Sequence, residues 1–397
     1  MKKIACLLSL LVSSSFAISL DEMVDNAFQN NQNLLSIEKA ISIADENIKL
    51  STKWKNPTLT LGVNDIHFDE PTKRDLEPMQ AQYIGFSQVI PVGNKLDIKK
   101  SIAKKDRNII SYSLEDKKLI LESKIYELSY NILILEQRLI LLHKFEKNIK
   151  KIEKLSNALY SHGKSNQNEI LNAKIAYSNI QIQKQNLKNS IDNLYIKLEQ
   201  ITYKKVDKID ASLDVKELVL SMDIQNHPKI KMQKINTNKY EDLSNLELEN
   251  ERGDIKLNLA YFNRDDKYKD YANISVNIPL SLYKTEKIKA VKAKIKAKEI
   301  ANKLEDIKQN FKTELRILQN NINNAYYKYE LIQNSIIPLK RKMQRNIENY
   351  NSFQGIKPQM AIRNLNELIT YELKSYDHLK EYFSNYSKSK YYMAKAK

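Results

Sequence analysis

The sequence predicts a mainly α-helical protein with a small β part, in which long helices alternate with pairs of short strands. Residues 95–160 contain neither glycine nor proline, as a single very long helix requires. Four segments of about seven to eleven residues alternate polar with apolar side chains, which is the period of a β-strand. Three short patterns return half a chain later in the same order: 27–34 at 223–230, 87–91 at 275–279 and, loosely, 160–163 at 350–355. A repeat this long indicates a duplicated architecture, so we predict structural repeats at 18–210 and 211–397, each with the order helix, two strands, long helix, helix.

Residues 1–17 have the pattern of a secretory signal peptide. Lys2 and Lys3 precede an apolar run at 4–12, and residues 15–17 form a small-x-small cleavage site. The apolar run is too short to cross a bilayer, and no longer apolar run follows it. The only cysteine, Cys6, lies inside this segment. We therefore expect an exported chain that has no transmembrane helix, no disulfide and no cysteine metal ligand.

The net charge of +17 at pH 7 does not indicate nucleic-acid binding. Nine of the 65 basic residues are arginine, the side chain best suited to phosphate and base recognition. The export signal also removes the chain from the cytoplasm. Solvated helix faces explain the charge, and a negatively charged membrane surface is the alternative partner.

No sequence pattern indicates an enzyme, a cofactor or a metal centre. The five histidines have no ligand spacing and are scattered at positions 67, 143, 162, 227 and 378. There is no glycine-rich phosphate loop, no nucleophile elbow and no paired carboxylates distinct from charged helix faces. We therefore predict a protein that is not an enzyme and needs no cofactor.

The first repeat opens with a helix. Ser19 and Glu22 form a capping box, and the helix extends from there to about residue 53. Two strands follow, at 58–64 and at about 80–90, joined by a polar loop at 65–78.

The second repeat contains a matching pair of strands at 255–262 and 271–278, joined by a loop at 263–270. Strands of this length and alternation suit either a tilted crossing of a bilayer or a small soluble sheet. Periodicity alone does not decide between the two.

A very long helix follows each strand pair. The first covers 95–160, with coiled-coil spacing from Ile125 to Leu159, and the second covers 284–336 and continues to about 350. Pro338 predicts a kink or break in the second helix. At 1.5 Å per residue each helix is roughly 100 Å long, a length that a compact domain does not need.

Glycines end both long helices, and shorter helices return from them. Gly163 precedes a helix to about residue 201. Gly355 precedes a last helix at about 359–393, with Pro358 well placed for its first turn. The first helix and the return helix together match one long helix in length, so they could stack end to end beside it.

Four strands cannot form a membrane barrel by themselves, because the two open edges would leave backbone groups unpaired in hydrocarbon. Two copies would give eight strands and a lumen filled by side chains, whereas three would give twelve strands and an open channel. The residues favour an oligomer without choosing between these states.

The sequence resembles the TolC-like outer-membrane factors, which form the outer membrane efflux protein family of Gram-negative bacteria. The resemblance covers essentially all of the chain after the signal peptide. It depends on the duplicated element order and on short motifs: Ser19-Leu-Asp-Glu22, Asn30-Asn31, Trp54-Lys-Asn-Pro57, Ser87-Gln-Val-Ile-Pro91, Ile278-Pro279-Leu280, and Gly163 followed by Ile170-Leu-Asn-Ala173.

The resemblance implies a homotrimer in the cell outer membrane. Its twelve-stranded transmembrane β-barrel would lie in outer-membrane lipid, and its long helical hairpins would form a periplasmic α-barrel. Such a channel is the passive exit duct of a tripartite efflux pump or a type I secretion system, and it works with a periplasmic adaptor protein and an inner-membrane pump. The loops 65–78 and 263–270 would face the cell exterior.

The resemblance also implies periplasmic tips, where the adaptor docks and a gate opens. The tip residues would be Gly163, Ser165, Gly355 and Pro358. Drug-exporting relatives often carry gate aspartates at positions that correspond here to Ala361 and Asn364, and in the first repeat to Glu169 and Asn172. An acidic ring would therefore depend on Glu169 or Glu367. The candidate gate residues are Glu169, Asn172, Ala361, Asn364 and Glu367.

The second hypothesis is a periplasmic adaptor or another coiled-coil scaffold, based on the long seams alone. An adaptor is expected to have one hairpin flanked by glycine-rich domains. This chain has six glycines and predicts two hairpins, which favours the channel.

Overall fold

The structure is a computed structural model that describes residues 17–164, 166–354 and 358–394. The signal peptide predicted at 1–17 thus lies, except for Ala17, outside the described residues. In chain order the elements are β1 (Ile18–Ser19), α1 (Leu20–Asn30), α2 (Gln32–Ser51), β2 (Thr58–Asn64), β3 (Ala81–Ile90), α3 (Lys95–Ser161), α4 (Gln167–Thr202), β4 (Ile209–Asp210), α5 (Pro228–Asn250), β5 (Ile255–Asn263), β6 (Tyr271–Asn277), α6 (Thr285–Leu331), a π-helical turn (Ile332–Ile336), α7 (Ile337–Gln354) and α8 (Pro358–Met393). The predicted fold class, mainly helical with a small sheet, is confirmed.

The chain forms two compact units. The helical unit contains the described residues up to Leu35, Glu115–His227, and those from Gln309 onward. The sheet unit contains Ser36–Leu114 and Pro228–Lys308. Each unit takes segments from both halves of the chain, and the repeat boundaries 18–210 and 211–397 stay a prediction.

The first helix ends earlier than the capping box and periodicity predict. The Ser19 side chain accepts a hydrogen bond from the Glu22 amide at 3.2 Å, as expected of a capping box. Asn31 then leaves the helical conformation, with φ −69° and ψ 112°. Its side-chain oxygen accepts hydrogen bonds from the amides of Asn33 (3.1 Å) and Leu34 (3.3 Å). An asparagine that competes for backbone donors in this way ends one helix and caps the next, so α1 and α2 are separate.

The sheet unit is built around four antiparallel strands in the order β2-β3-β5-β6. The strand β2 occupies the residues predicted for it, and the other three differ from prediction by one residue at an end. Because β2 and β6 each have one neighbour, they form the two open edges of this sheet. A separate parallel pair joins β1 to β4, with Ile18 opposite Ile209, and no local pattern predicts it.

The core of the helical unit lies between its long helices. Large apolar side chains from α3, α4, the π turn, α7 and α8 pack together there: Leu142, Phe145, Ile149, Ile180, Ile332, Ile337, Leu365, Leu368 and Ile369. These contacts hold the helix pairs α3–α4 and α7–α8 side by side.

The second long helix remains helical through Pro338. A single π-helical turn immediately precedes α7, and the Ile337 amide donates to the Ile332 carbonyl, five residues back. Proline has no amide hydrogen, and its ring crowds the carbonyl four residues earlier. The wider turn changes the hydrogen-bond register just before the proline, so the predicted interruption occurs as a π turn and not as a break. No helix in the described part of the chain is both long and apolar enough to cross a membrane.

Candidate functional site

One face of the four-stranded sheet is apolar and exposed. Strand register places one residue from each strand in a continuous row: Leu59, Phe86, Leu259 and Ile274. Their exposed fractions lie between 46% and 74%, and the neighbouring Leu61, Ile84 and Tyr261 are also exposed. An exposed apolar surface that extends across every strand has no covering element within this sheet unit. It therefore has the character of a surface that contacts lipid or another apolar partner.

The opposite face of the sheet is polar. The next row along the register is Thr58, Ser87, Asn258 and Ser275. The Asn258 side chain donates to the Ser275 hydroxyl at 3.2 Å and to the Asn277 side chain at 3.1 Å. Alternation of an apolar face with a polar one is the pattern of strands that line a water-filled lumen on one side and face hydrocarbon on the other.

Aromatic rings pack at the end of the sheet nearest the two inter-strand loops. Phe262 stacks between Tyr83 and Tyr271, with ring centroids 5.2 Å and 4.7 Å away. A Cβ atom on Gly62 would lie 2.5 Å from the Tyr83 ring, so a side chain at this position would displace the ring. The rings thus form an aromatic end to the polar face.

The two loops predicted to face outward contact each other. The Arg74 guanidinium donates to the backbone and side-chain oxygens of Asn263, at 3.0 Å and 2.9 Å. Arg264 in the second loop donates to the Pro78 carbonyl in the first at 3.0 Å. The buried Gln80 side chain organises the first loop from within through four hydrogen bonds to backbone groups.

The turn between α3 and α4 is a Schellman motif centred on Gly163. This glycine has φ +67°, and its amide donates to the Tyr160 carbonyl at 3.0 Å. The Lys164 amide donates to the Leu159 carbonyl at 2.8 Å, five residues back, which is the second bond of the motif. Asn166 then caps α4, because its side chain accepts from the Glu169 amide at 3.1 Å. Of the other predicted tip residues, Ser165 and Gly355 lie outside the described residues, and Pro358 is the first residue of α8.

The five candidate gate residues separate into two environments. Glu169, Asn172 and Glu367 line the same groove between α4 and α8, which has a volume of about 810 Å³. Ala361 and Asn364 are instead buried. The Asn364 amide donates to the Gln344 side chain on α7 at 2.8 Å, so it contributes to packing between α7 and α8.

Charge in this groove is partly compensated by α7. The Lys340 ammonium forms an ion pair with the Glu367 carboxylate. This hydrogen bond, together with the positive charge of Lys340, lowers the pKa of Glu367 below its ordinary value. Glu367 is therefore ionised and already paired at neutral pH.

Sequence reasoning missed Glu146, the polar centre of the first hairpin. Its carboxylate accepts hydrogen bonds from Lys184 and, at 2.7 Å, from Gln181 on α4. Lys150 lies 3.4 Å away on α3 itself. The hydrogen bond from Lys184 is the main cause that lowers the pKa of Glu146 to about 2. The only local signal was the spacing of Glu146 and Lys150, which is common on exposed helices.

A corresponding ion pair joins α7 to α8. The Arg341 guanidinium donates to the buried Glu372 carboxylate at 2.8 Å. One turn away, the Gln333 amide donates to the Ser375 hydroxyl at 3.0 Å. Among the residues described here, no three histidine, cysteine, aspartate or glutamate side chains are grouped as a metal centre would require.

Comparisons with known proteins agree with this architecture. The outer membrane efflux protein family matches residues 23–202. The Campylobacter jejuni CmeC outer membrane channel superimposes with a TM-score of 0.77 at 14% identity, covering 94% of this chain and 85% of that one. The open state of the Neisseria gonorrhoeae MtrE outer membrane channel gives 0.78 at 11% identity, covering 94% and 88%. The outer membrane protein VceC of Vibrio cholerae gives 0.73 at 10% identity, covering 94% and 93%.

A comparison with curated proteins gives no match. At identities this low, the solved structures establish the likeness of the fold. By sequence, residues 23–202 match the outer membrane efflux protein family, and by fold the chain is similar to outer membrane channels over nearly all of its length.

Proposed function

We propose that this protein is the outer-membrane channel of a tripartite efflux pump or a type I secretion system. It conducts substrate passively from an inner-membrane pump and a periplasmic adaptor to the cell exterior. The observation that supports this most directly is the exposed apolar row Leu59–Phe86–Leu259–Ile274, which lies opposite a polar face of the same four strands. Such a sheet needs lipid on one side and water on the other.

The open edges of the sheet support a closed oligomer. In hydrocarbon, the unpaired backbone groups of β2 and β6 must find partners, and a second copy offers the complementary edge. Three copies give twelve strands and an open lumen, as a conducting channel requires. We therefore propose a homotrimer.

The turns at the ends of the hairpins are proposed as periplasmic tips. Gly163, Ser165, Gly355 and Pro358 would form the surface on which the adaptor docks. We propose the groove residues Glu169, Asn172 and Glu367 as the gate lining. Ala361 and Asn364 support the gate by packing, since both are buried.

The test is to extract the protein from membranes with detergent and measure its oligomeric mass and its conductance in planar lipid bilayers. We expect a trimer that inserts and conducts. A water-soluble periplasmic protein that neither inserts nor conducts would contradict the channel and favour the scaffold hypothesis. A conducting dimer would contradict the twelve-stranded closure alone.

A further inference from the structure

The helix-side rim of the sheet combines exposed apolar residues with a dense run of lysines. We define this rim as residues 53–55, which lead into β2, and 278–298, which follow β6. Both segments lie at the end of the sheet opposite the inter-strand loops, as the pairings Ile90↔Ile255 and Lys256↔Asn277 show. They also lie at the two open edges, so closure of the barrel would bring the 53–55 segment of one copy beside the 278–298 segment of the next.

The apolar part of the rim is a collar at the level where the strands end. Trp54 is 53% exposed and Tyr283 is 87% exposed. Between β6 and α6, Ile278, Leu280 and Leu282 are also largely exposed. Tryptophan and tyrosine are enriched where a membrane protein passes from hydrocarbon to headgroups, because their rings are apolar at one end and polar at the other.

The charged part of the rim follows immediately. Residues 284–298 contain seven lysines and one acidic residue, Glu286. Lys287 pairs with Glu251 at 3.2 Å, and Lys296 pairs with Glu299 at 2.8 Å. The other five lysines are exposed and form no salt bridge within the described chain: 284, 289, 292, 294 and 298. Lys53 and Lys55, on either side of Trp54, are exposed as well.

We propose that this rim binds the anionic headgroups of phospholipids in the periplasmic leaflet. The inference rests on the proposed insertion of the sheet into the outer membrane. Lysines one to two helical turns beyond the apolar collar, about 5–11 Å along the helix, lie at about one Debye length (roughly 8–10 Å) from the phosphate layer. Each lysine near an anionic membrane surface raises the affinity of the protein for that surface about fivefold. The long lysine side chain can also reach back toward the headgroups. A lipid phosphate held there would neutralise lysines that form no salt bridge among the described residues.

The chain provides its own probe, because Trp54 is its only tryptophan. The full-length protein is reconstituted into phosphatidylcholine vesicles in which a small fixed fraction is replaced by brominated phosphatidylglycerol or brominated phosphatidylcholine. Bromine quenches tryptophan fluorescence at short range in both lipids. A difference in quenching of Trp54 between them therefore measures the preference of the rim for one headgroup. We expect the anionic lipid to quench with an apparent association constant about fivefold higher, and the difference to shrink as salt is raised.

The test variant is the triple substitution Lys289→Gln, Lys292→Gln and Lys294→Gln, which leaves both ion pairs in place. Its matched control is Lys147→Gln, Lys151→Gln and Lys154→Gln, three exposed lysines of α3 in the helical unit. We expect the rim variant to lose the preference for the anionic lipid while it still inserts and conducts, and the control variant to retain the preference.

Four outcomes would overturn the inference. Equal quenching by both lipids in the unchanged protein would mean that the rim does not select headgroups, although the channel proposal would survive. Loss of the preference in the α3 control would assign the effect to net charge. Abolition of the preference by inorganic phosphate, but not by chloride of equal ionic strength, would indicate a free-phosphate site. Absence of quenching by either lipid would contradict membrane insertion and thereby the proposed function itself.

Discussion

Glu146 shows how a single carboxylate can join two helices of a hairpin. It lies on α3 and accepts hydrogen bonds from Lys184 and Gln181 on α4, and few water molecules reach it because its side chain is 13% exposed. Charge-assisted hydrogen bonds of this kind are stronger than neutral ones, and removing one partner leaves the other without compensation.

The pH dependence of stability should therefore identify this carboxylate. Glu146 has a folded pKa of about 2 against an ordinary value of 4.5, so its stabilising effect is present above pH 4.5 and is lost as pH falls toward 2. We expect Glu146→Gln to destabilise the protein by about 1–2 kcal/mol at pH 7, with a difference from the unchanged protein that narrows below pH 4.5. Urea unfolding in detergent at several pH values measures this. A matched control is Glu153→Gln, about two turns along α3. An equal, pH-dependent loss of stability in that variant would contradict the assignment.

Substitutions of Gly163 test the backbone conformation of the turn at the end of the first hairpin. Its φ of +67° is accessible to glycine and, at modest cost, to asparagine, but it strains a β-branched residue. No atom lies within 4 Å of a Cβ placed there, so the cost comes from the backbone and not from crowding. We expect Gly163→Val to destabilise the hairpin end by about 1–2 kcal/mol and Gly163→Asn by clearly less. Hydrogen exchange of amides at 155–164 provides the readout, and equal exchange in both variants would contradict this conformation.

At the scale of elements, local chemistry decides where helices end and loops fold. Asn31 separates α1 from α2 by binding two amides, and the π turn at Ile332–Ile336 lets the second long helix continue through Pro338. Neither interruption can be predicted from the spacing of hydrophobic residues along the sequence. The period describes which face of a helix is buried, whereas both interruptions depend on where individual backbone donors and acceptors find partners.

The loop after β2 should depend on one side chain. Gln80 donates to the carbonyls of Asp65 and Lys73 at 3.0 Å and 3.1 Å, and it accepts from the amides of Leu76 and Glu77 at 3.0 Å and 3.3 Å. We expect Gln80→Ala to accelerate amide hydrogen exchange across 66–78 by about tenfold or more, because four backbone groups of the loop lose the side chain that holds them together.

The control for this prediction is Gln82→Ala, two residues along β3, where the side chain is exposed. That variant should leave exchange in the loop unchanged. A similar acceleration in both variants would show that disturbance of β3, and not the hydrogen bonds of Gln80, opens the loop.

At the scale of the whole molecule, the same substitution should have opposite effects on the two faces of the sheet. Ile274 belongs to the exposed apolar row, and the adjacent Ser275 belongs to the polar face. A lysine on a lipid-facing position near mid-membrane costs about 2–4 kcal/mol. We expect Ile274→Lys to reduce the amount of trimer recovered from outer membranes, and Ser275→Lys to assemble normally while shifting the ion selectivity of the channel. Normal assembly of the Ile274 variant would contradict the assignment of the apolar face.

Local pattern predicts much of the fold but little of the candidate site. Residues 58–64 form a strand as predicted, because the alternation of polar and apolar side chains within that segment is enough to identify a strand. The pairing of Ile18 with Ile209 and the hydrogen bond from Lys184 to Glu146 join residues far apart in the chain, and each has no local signature. Family resemblance predicts Ala361 and Asn364 as gate candidates, and their gate role stays a prediction. That both side chains are buried, and that the groove lies between α4 and α8, follows from helix packing. A single sequence does not reveal which distant segments pack against each other.

The open edges β2 and β6 have a genetic consequence. A chain whose β6 edge is damaged still offers an intact β2 edge to a normal neighbour, so it can enter an assembly that it cannot complete. In a cell that expresses both alleles, only a minority of the proposed trimers would contain three normal chains. Substitutions that block pairing at one edge should therefore act dominantly, whereas those that unfold the whole chain should be recessive.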